Sequence, residues 1–234
     1  MQLGISGKTV TLAKALDLAN HEWTSIGWNG AFSGIFDGGG YEISNLTIST
    51  IANGGGLFGR VSYGTLKNVR LTGVNMSGVR ESGSLVYAVD DSNITNCSAI
   101  GSITGSGCGG LIGSVYGGFG FSTVAKSSAN VNVTGGSSAG FIGIVSVSDE
   151  DVVRVTVINC HASGKVTGSS SAGFISLIVP PDQYYYPGYL RVMITGNTYD
   201  KRGTGQAYGI GADPRGRYTG TPIYNPSNNG ATPK

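Results

Sequence analysis

Two stretches decide the fold. ITNCSAIGSITGSGCGGLIG runs from Ile94 to Gly113, and VINCHASGKVTGSSSAGFIS runs from Val157 to Ser176, sixty-three residues further on. Six of the first twenty residues are glycine, and the apolar ones stand alone or in pairs. Both stretches share one grammar: an apolar-x-Asn-Cys phrase, then a small-x-apolar-x-Gly phrase, then a small-Gly-apolar-apolar phrase. Self-similarity at a period of 20–50 residues is the mark of a stacked repeat.

The first phrase recurs as ISNLTI (Ile43–Ile48), LKNVRL (Leu66–Leu71), ITNCSA (Ile94–Ala99) and VINCHA (Val157–Ala162). A degenerate copy, VAKSSA (Val124–Ala129), has Lys126 in place of Asn, and ITGNTY (Ile194–Tyr199) is shifted by one residue. The last phrase recurs as GGLFG (Gly55–Gly59), GSLVY (Gly83–Tyr87), GGLIG (Gly109–Gly113), AGFIG (Ala139–Gly143) and AGFIS (Ala172–Ser176). Between them lie VNMSG, SITGS, NVTGG and KVTGS. Each unit therefore holds three short alternating runs bounded by Gly and Ser, which read as strands and turns.

Three strands per unit make one coil of a parallel β-solenoid, with equivalent residues about 4.8 Å apart along the stack. The expected fold class is all-β: five to six coils of three short strands and an irregular C-terminal cap. Residues 1–31 are expected to be a lead-in or cap, 32–199 the repeat domain, and 200–234 a cap and arm. Glycine serves corners where φ is positive or backbones approach closely. A buried Asn in each phrase is expected to bond its copies above and below, as amide ladders do. Isolated apolar residues then suffice, because each packs on its own repeats.

Composition agrees. The 234 residues include 41 glycines, yet 39% are hydrophobic and only 12% charged; disordered chains are usually charged and poor in apolar residues. The net charge of +2 gives no reason to expect nucleic acid or membrane as a partner. No run reaches the roughly 20 apolar residues of a membrane helix. No charged and then apolar leader follows Met1, which reads as no signal peptide. Residues 191–234 are basic by four charges and the remainder acidic by two. The basic arm suits docking on neighbouring subunits, with charge steering the contact.

In combination, GGLFG, GGLIG and AGFIG with ITNCSAIGSITG and VINCHASGKVTG resemble the GLUG-motif family of repeat proteins. LDLANHEWTSIG (Leu16–Gly27) followed by FSGIFDGGGYEISNLTI (Phe32–Ile48) looks like that family's opening. The resemblance covers roughly residues 10–211. It implies strand for Val10–Leu18, where local pattern also allows a helix. It implies a stalk or binding module of a bacterial surface, secreted or phage protein, with no catalytic residues. Departures are Lys126, the damaged GSLVY and the missing signal peptide; the last suits a virion protein or a fragment cut from a longer secreted chain.

Several motifs invite chemistry. GSGCGG (Gly105–Gly110) satisfies the dinucleotide fingerprint but lacks a following helix, and reads as a corner. GSSAG (Gly136–Gly140) puts Ser138 in a nucleophile position, but the acid and histidine that must follow are missing as a set. Cys97 and Cys160 share a place in their phrases, two coils or about 9.5 Å apart, beyond the roughly 7 Å a disulfide spans. With Cys108 at another corner, three free thiols are expected, buried as small apolar groups. No Cys or His pairing suggests a resident metal or other cofactor.

The functional expectation rests on one corner. After each GGLFG-type strand the loops lengthen: SYG, DDS, YGGFGFS, SDED and PPDQYYYPG. If they stack, Tyr116, Phe119, Phe121, Asp149, Glu150, Asp151, Asp182, Tyr184, Tyr185 and Tyr186 share one patch with Tyr63, Asp90 and Asp91. Aromatic faces stack on sugars and carboxylates accept their hydroxyls or hold Ca²⁺. The expected partner is a cell-surface glycan or receptor, with other virion or surface subunits at the arm. The expected location is a virion or the cell surface. The rival readings are a polysaccharide-degrading enzyme, either a lyase or a glycoside hydrolase with Asp91 and Asp149 about 9.5 Å apart at the edge of the inverting range, and a purely structural assembly protein held together through the C-terminal arm.

Overall fold

The computed structural model describes residues 7–49, 54–117, 120–147, 154–179, 191–200 and 223–224. They form three parallel sheets and no helix. The chain visits the sheets in turn, five times in full: Ile35–Asp37, Glu42–Ser44 and Phe58–Ser62 make the first complete coil, and Arg154–Ile158, His161–Ala162 and Ile175–Val179 the fifth. The expected β-solenoid is what the chain builds. The lead-in adds a partial coil as strands Thr9–Thr11 and Leu16–Asp17, which pair with Ile35–Asp37 and Glu42–Ser44. At the other end Arg191–Thr195 and Thr198–Tyr199 continue the stack, and Ile223–Tyr224 pairs in parallel with the first of them.

Alternation sets the core. In the first sheet Phe36, Leu66, Ile94, Val124 and Val157 fall in one register column, and all are buried. In the second sheet the column runs Ile43, Leu71, Ala99, Ala129, Ala162, shrinking along the stack. The third sheet compensates with Leu57, Leu85, Leu111, Phe141 and Phe174. Phe141 and Phe174 lie 4.9 Å apart and 5° from parallel. Interiors must be filled to crystal-like density, so a coil with a small residue on one wall carries a large one on another.

The corners correct the expected role of Asn. Asn68, Asn96, Lys126 and Asn159 do share one column at the first corner, between the first and second sheets, but they are not buried. Each adopts a left-handed backbone, φ +51 to +55, a conformation Asn tolerates better than most residues. Asn96 Nδ2 donates to Asn68 Oδ1 and Asn68 Nδ2 to Asp37 Oδ1, both at 2.8 Å. The ladder thus starts on a carboxylate and stops at Lys126. Asn45 belongs elsewhere: it follows a different strand, lies beside Gly73, and donates to Asp17 Oδ1. Asn197 stands one place on, accepting the Cys160 N–H.

The residue after each left-handed one does the interior work. Ser127 Oγ donates to Ala125 O, two residues back, and accepts the Cys97 N–H of the coil before. Ser138 and Ser92 repeat the device at the second and third corners, accepting from Cys108 and Gly64. A corner breaks the sheet ladder, and buried N–H groups left unpaired are costly; this hydroxyl closes the gap. Cys97, Cys108 and Cys160 occupy the same position, each thiol donating to the carbonyl two residues back. They are free and buried as expected, but as serine substitutes rather than apolar filler. Ser138 is a corner serine as well.

Glycine acts less at corner φ than at close approach. A Cβ on Gly109 would collide with Ile112 O and the Gly143 N of the next coil.

Candidate functional site

Third-sheet strands end, and first-sheet strands begin, at the corner chosen from sequence. Ser62, Asp90, Tyr116 and Ser146 form one outward register column there. In the first two complete coils the turn is minimal. Tyr63 and Asp91 take left-handed φ of +54 and +44, and Gly64 and Ser92 follow them into the wall. Asp91 then joins three coils. Its Oδ1 accepts the Gly120 N–H at 2.9 Å, and the Tyr63 hydroxyl bonds its carboxylate, which holds the Tyr63 pKa above its ordinary value. Ser62 Oγ donates to Asp90 Oδ2 at 3.3 Å. Phe121, 58% exposed, opens the next first-sheet strand.

Beside this corner lies an aromatic surface that the sequence reading missed. The column Gly59, Tyr87, Gly113, Gly143 faces outward on the third sheet. Tyr87 is its one large side chain, and its ring lies against Gly54, where a Cβ would meet it at 2.8 Å. Its ring lies 6.3 Å from that of Trp28, two coils below. Burial, and then a hydrogen bond with Tyr116, raise the Tyr87 pKa. Trp28, Tyr87 and Tyr116 thus connect the third-sheet face to the corner carboxylates. The available signal was the tyrosine that breaks the glycine of GSLVY; it read as damage.

Tyr116 and Phe121 are therefore placed at one corner, with Tyr63, Asp90 and Asp91. Phe119, Asp149, Glu150, Asp151, Asp182, Tyr184, Tyr185 and Tyr186 lie outside the described residues. The strands on either side of them, Ile142–Val147 with Arg154–Ile158 and Ile175–Val179 with Arg191–Thr195, stack in the same two sheets. Among the described residues no three His, Cys, Asp or Glu side chains group as metal ligands, and no helix is long and apolar enough to cross a membrane.

Fold and corner together define a parallel β-solenoid that displays aromatic and acidic side chains along one lateral edge. No family model matches the chain. Halomucin of Haloquadratum walsbyi is 37% identical over 107 residues, 44% of this chain. The chain spans about 1% of that relative's length.

Proposed function

We propose that this chain is a non-catalytic binding module of a surface or secreted protein, recognising carbohydrate through its third corner and the adjoining face of the third sheet. The observation that carries the reading is the continuity of Trp28, Tyr87 and Tyr116 with Asp90 and Asp91. Rings offer flat apolar area to a sugar face, and the carboxylates accept its hydroxyls. Asp91 is already held by Tyr63 and Gly120, a positioning role that suits binding better than proton transfer. The similarity to halomucin over 44% of this chain supports a cell-surface setting over a phage tail fibre. The resemblance to GLUG-motif modules points the same way.

A glycan array tests it. Wild type binds at least one neutral or acidic glycan, and Tyr87→Ala/Tyr116→Ala loses about tenfold in affinity, the yield of about 1.4 kcal/mol of lost stacking. Circular dichroism checks that the variant keeps its sheet content. Equal binding by the two proteins removes the site. Release of new reducing ends or unsaturated sugars from any bound polysaccharide replaces the module with an enzyme.

A further inference from the structure

The first corner holds a groove that neither the third corner nor any similarity assigns. It encloses about 270 Å³ and draws on four consecutive coils, the first through Gly40 alone. Two register rows line it: Asn68, Asn96 and Lys126 along the turn, and Arg70, Ser98 and Ser128 along the start of the second sheet. No carboxylate lines it.

The cations here are not ion-paired. Lys67, one residue from the row, is paired with Asp37 at 3.1 Å. Glu42 is the register neighbour of Arg70 and keeps its charge, its Oε1 accepting from Thr72 Oγ1. The Arg70 and Lys126 side chains make no ion pair within 4 Å among the described residues. Lys126 is also the one long cationic side chain in a left-handed column that otherwise uses Asn. Its presence has a second effect. An Asn at 126 would continue the amide ladder onto Asn96; with Lys there, the ladder ends at Asn96, which lines the groove.

We propose that this groove binds an acidic polysaccharide, a glycan whose sugars carry carboxylate or sulfate. Arg70 and Lys126 take successive anionic groups, and Asn96, Ser98 and Ser128 bond the ring hydroxyls between them. The cations lie two coils apart, about 9.6 Å along the stack. That spacing is of backbones, and a chain with repeated charges can engage both cations along it; competition with inorganic sulfate decides between one small anion and a polymer. The volume falls just under the roughly 300–1,000 Å³ of closed ligand pockets, which suits one unit of a polymer lying across an open groove. No aromatic side chain lines it to stack a base, which disfavours nucleic acid.

The test uses the full chain at low salt against polygalacturonate, dextran sulfate, neutral dextran, inorganic sulfate and duplex DNA, by biolayer interferometry. Wild type binds polygalacturonate or dextran sulfate and not dextran, and added salt weakens the binding. Arg70→Gln and Lys126→Asn each lower affinity about tenfold, the scale of one charge-assisted contact. Lys126→Asn restores the ladder residue, so it keeps or raises the melting temperature while binding falls. Tyr87→Ala/Tyr116→Ala leaves this binding unchanged, which separates the groove from the third corner. The proposal is overturned if neither charged polymer binds, or if the Arg70 and Lys126 variants bind as wild type does. It is also overturned if inorganic sulfate competes as well as the polymers, or if DNA binds more tightly through the same residues.

Discussion

The first and third corners solve one problem in opposite ways. Both turn the chain from one sheet to the next with a left-handed residue followed by a buried small one. At the first corner the turn is one left-handed residue long in four successive coils, at Asn68, Asn96, Lys126 and Asn159. At the third it is equally tight after Ser62 and Asp90, but from Gly117 onward more residues separate the strands. At the first corner the Asn96–Asn68 bond and the Cys97 N–H bond to Ser127 fix the length of the turn. At the third the comparable bonds of Ser62, Gly64 and Gly120 to the second complete coil tie only the tight turns and the residue before Phe121. The first corner is therefore structural regularity with a groove on its back; the third is where the chain is free to vary what it displays.

The sharpest way to break this comparison is to insert two residues at each corner. Gly-Ser inserted after Asn96 disrupts the Asn96–Asn68 bond, the Cys97 N–H bond to Ser127 and the Ser98 N–H bond to Val69 O. At about 1–3 kcal/mol for each of the two backbone N–H groups left unpaired, the loss is about 2–6 kcal/mol. The same insertion between Gly118 and Phe119 costs less than about 1 kcal/mol, the scale of loop lengthening. Urea denaturation measures both; equal losses would abolish the distinction between the corners.

A smaller effect isolates the corner hydroxyl. Ser127→Ala strands the buried Cys97 N–H and costs about 1–3 kcal/mol. Ser127→Cys costs less than about 1.5 kcal/mol, the scale of a near-isosteric swap, since cysteine holds this place in the coils on both sides. If alanine and cysteine are equally tolerated, the hydrogen bond is not what holds the turn. The native thiols add a control. Burial pushes Cys97 up to about 12 and Cys108 and Cys160 to about 11, so alkylation at neutral pH waits for unfolding.

The smallest effect lies at the foot of the ladder. The Asn68 amide, then the Gly39 N–H, hold Asp37 below its ordinary value of 3.8. The stability this gives is complete above 3.8 and is lost as pH falls through the lower folded value. Melting temperature measured against pH should fall in that acid range for wild type and fall less for Asp37→Asn. Identical acid limbs would detach Asp37 from the ladder.

The sequence made the stacking legible because side chains sharing a phrase share a column: Asn68, Asn96, Lys126 and Asn159 align as read, as do Cys97, Ser127 and Cys160. Asn45 misled because its phrase reports only a local event, a left-handed residue between alternating strands, and that event occurs at more than one place in a coil. Register is decided by hydrogen bonds to residues some thirty positions away. The corner serines escaped notice because they look like turn filler; their meaning depends on an N–H from another coil. Tyr87 escaped because a broken pattern reads as noise until its neighbours, two glycines and Trp28, are known. Half of the proposed third-corner chemistry was thus visible as residue types, and the rest needed the stack.

Among the described residues, the strands of each coil pair only with those of the coil on either side. Pulled from its two ends, such a molecule does not fail all at once. It peels, releasing one turn of chain and baring one fresh surface at a time, so a tether built this way lengthens by steps and keeps most of its grip after the first has given way.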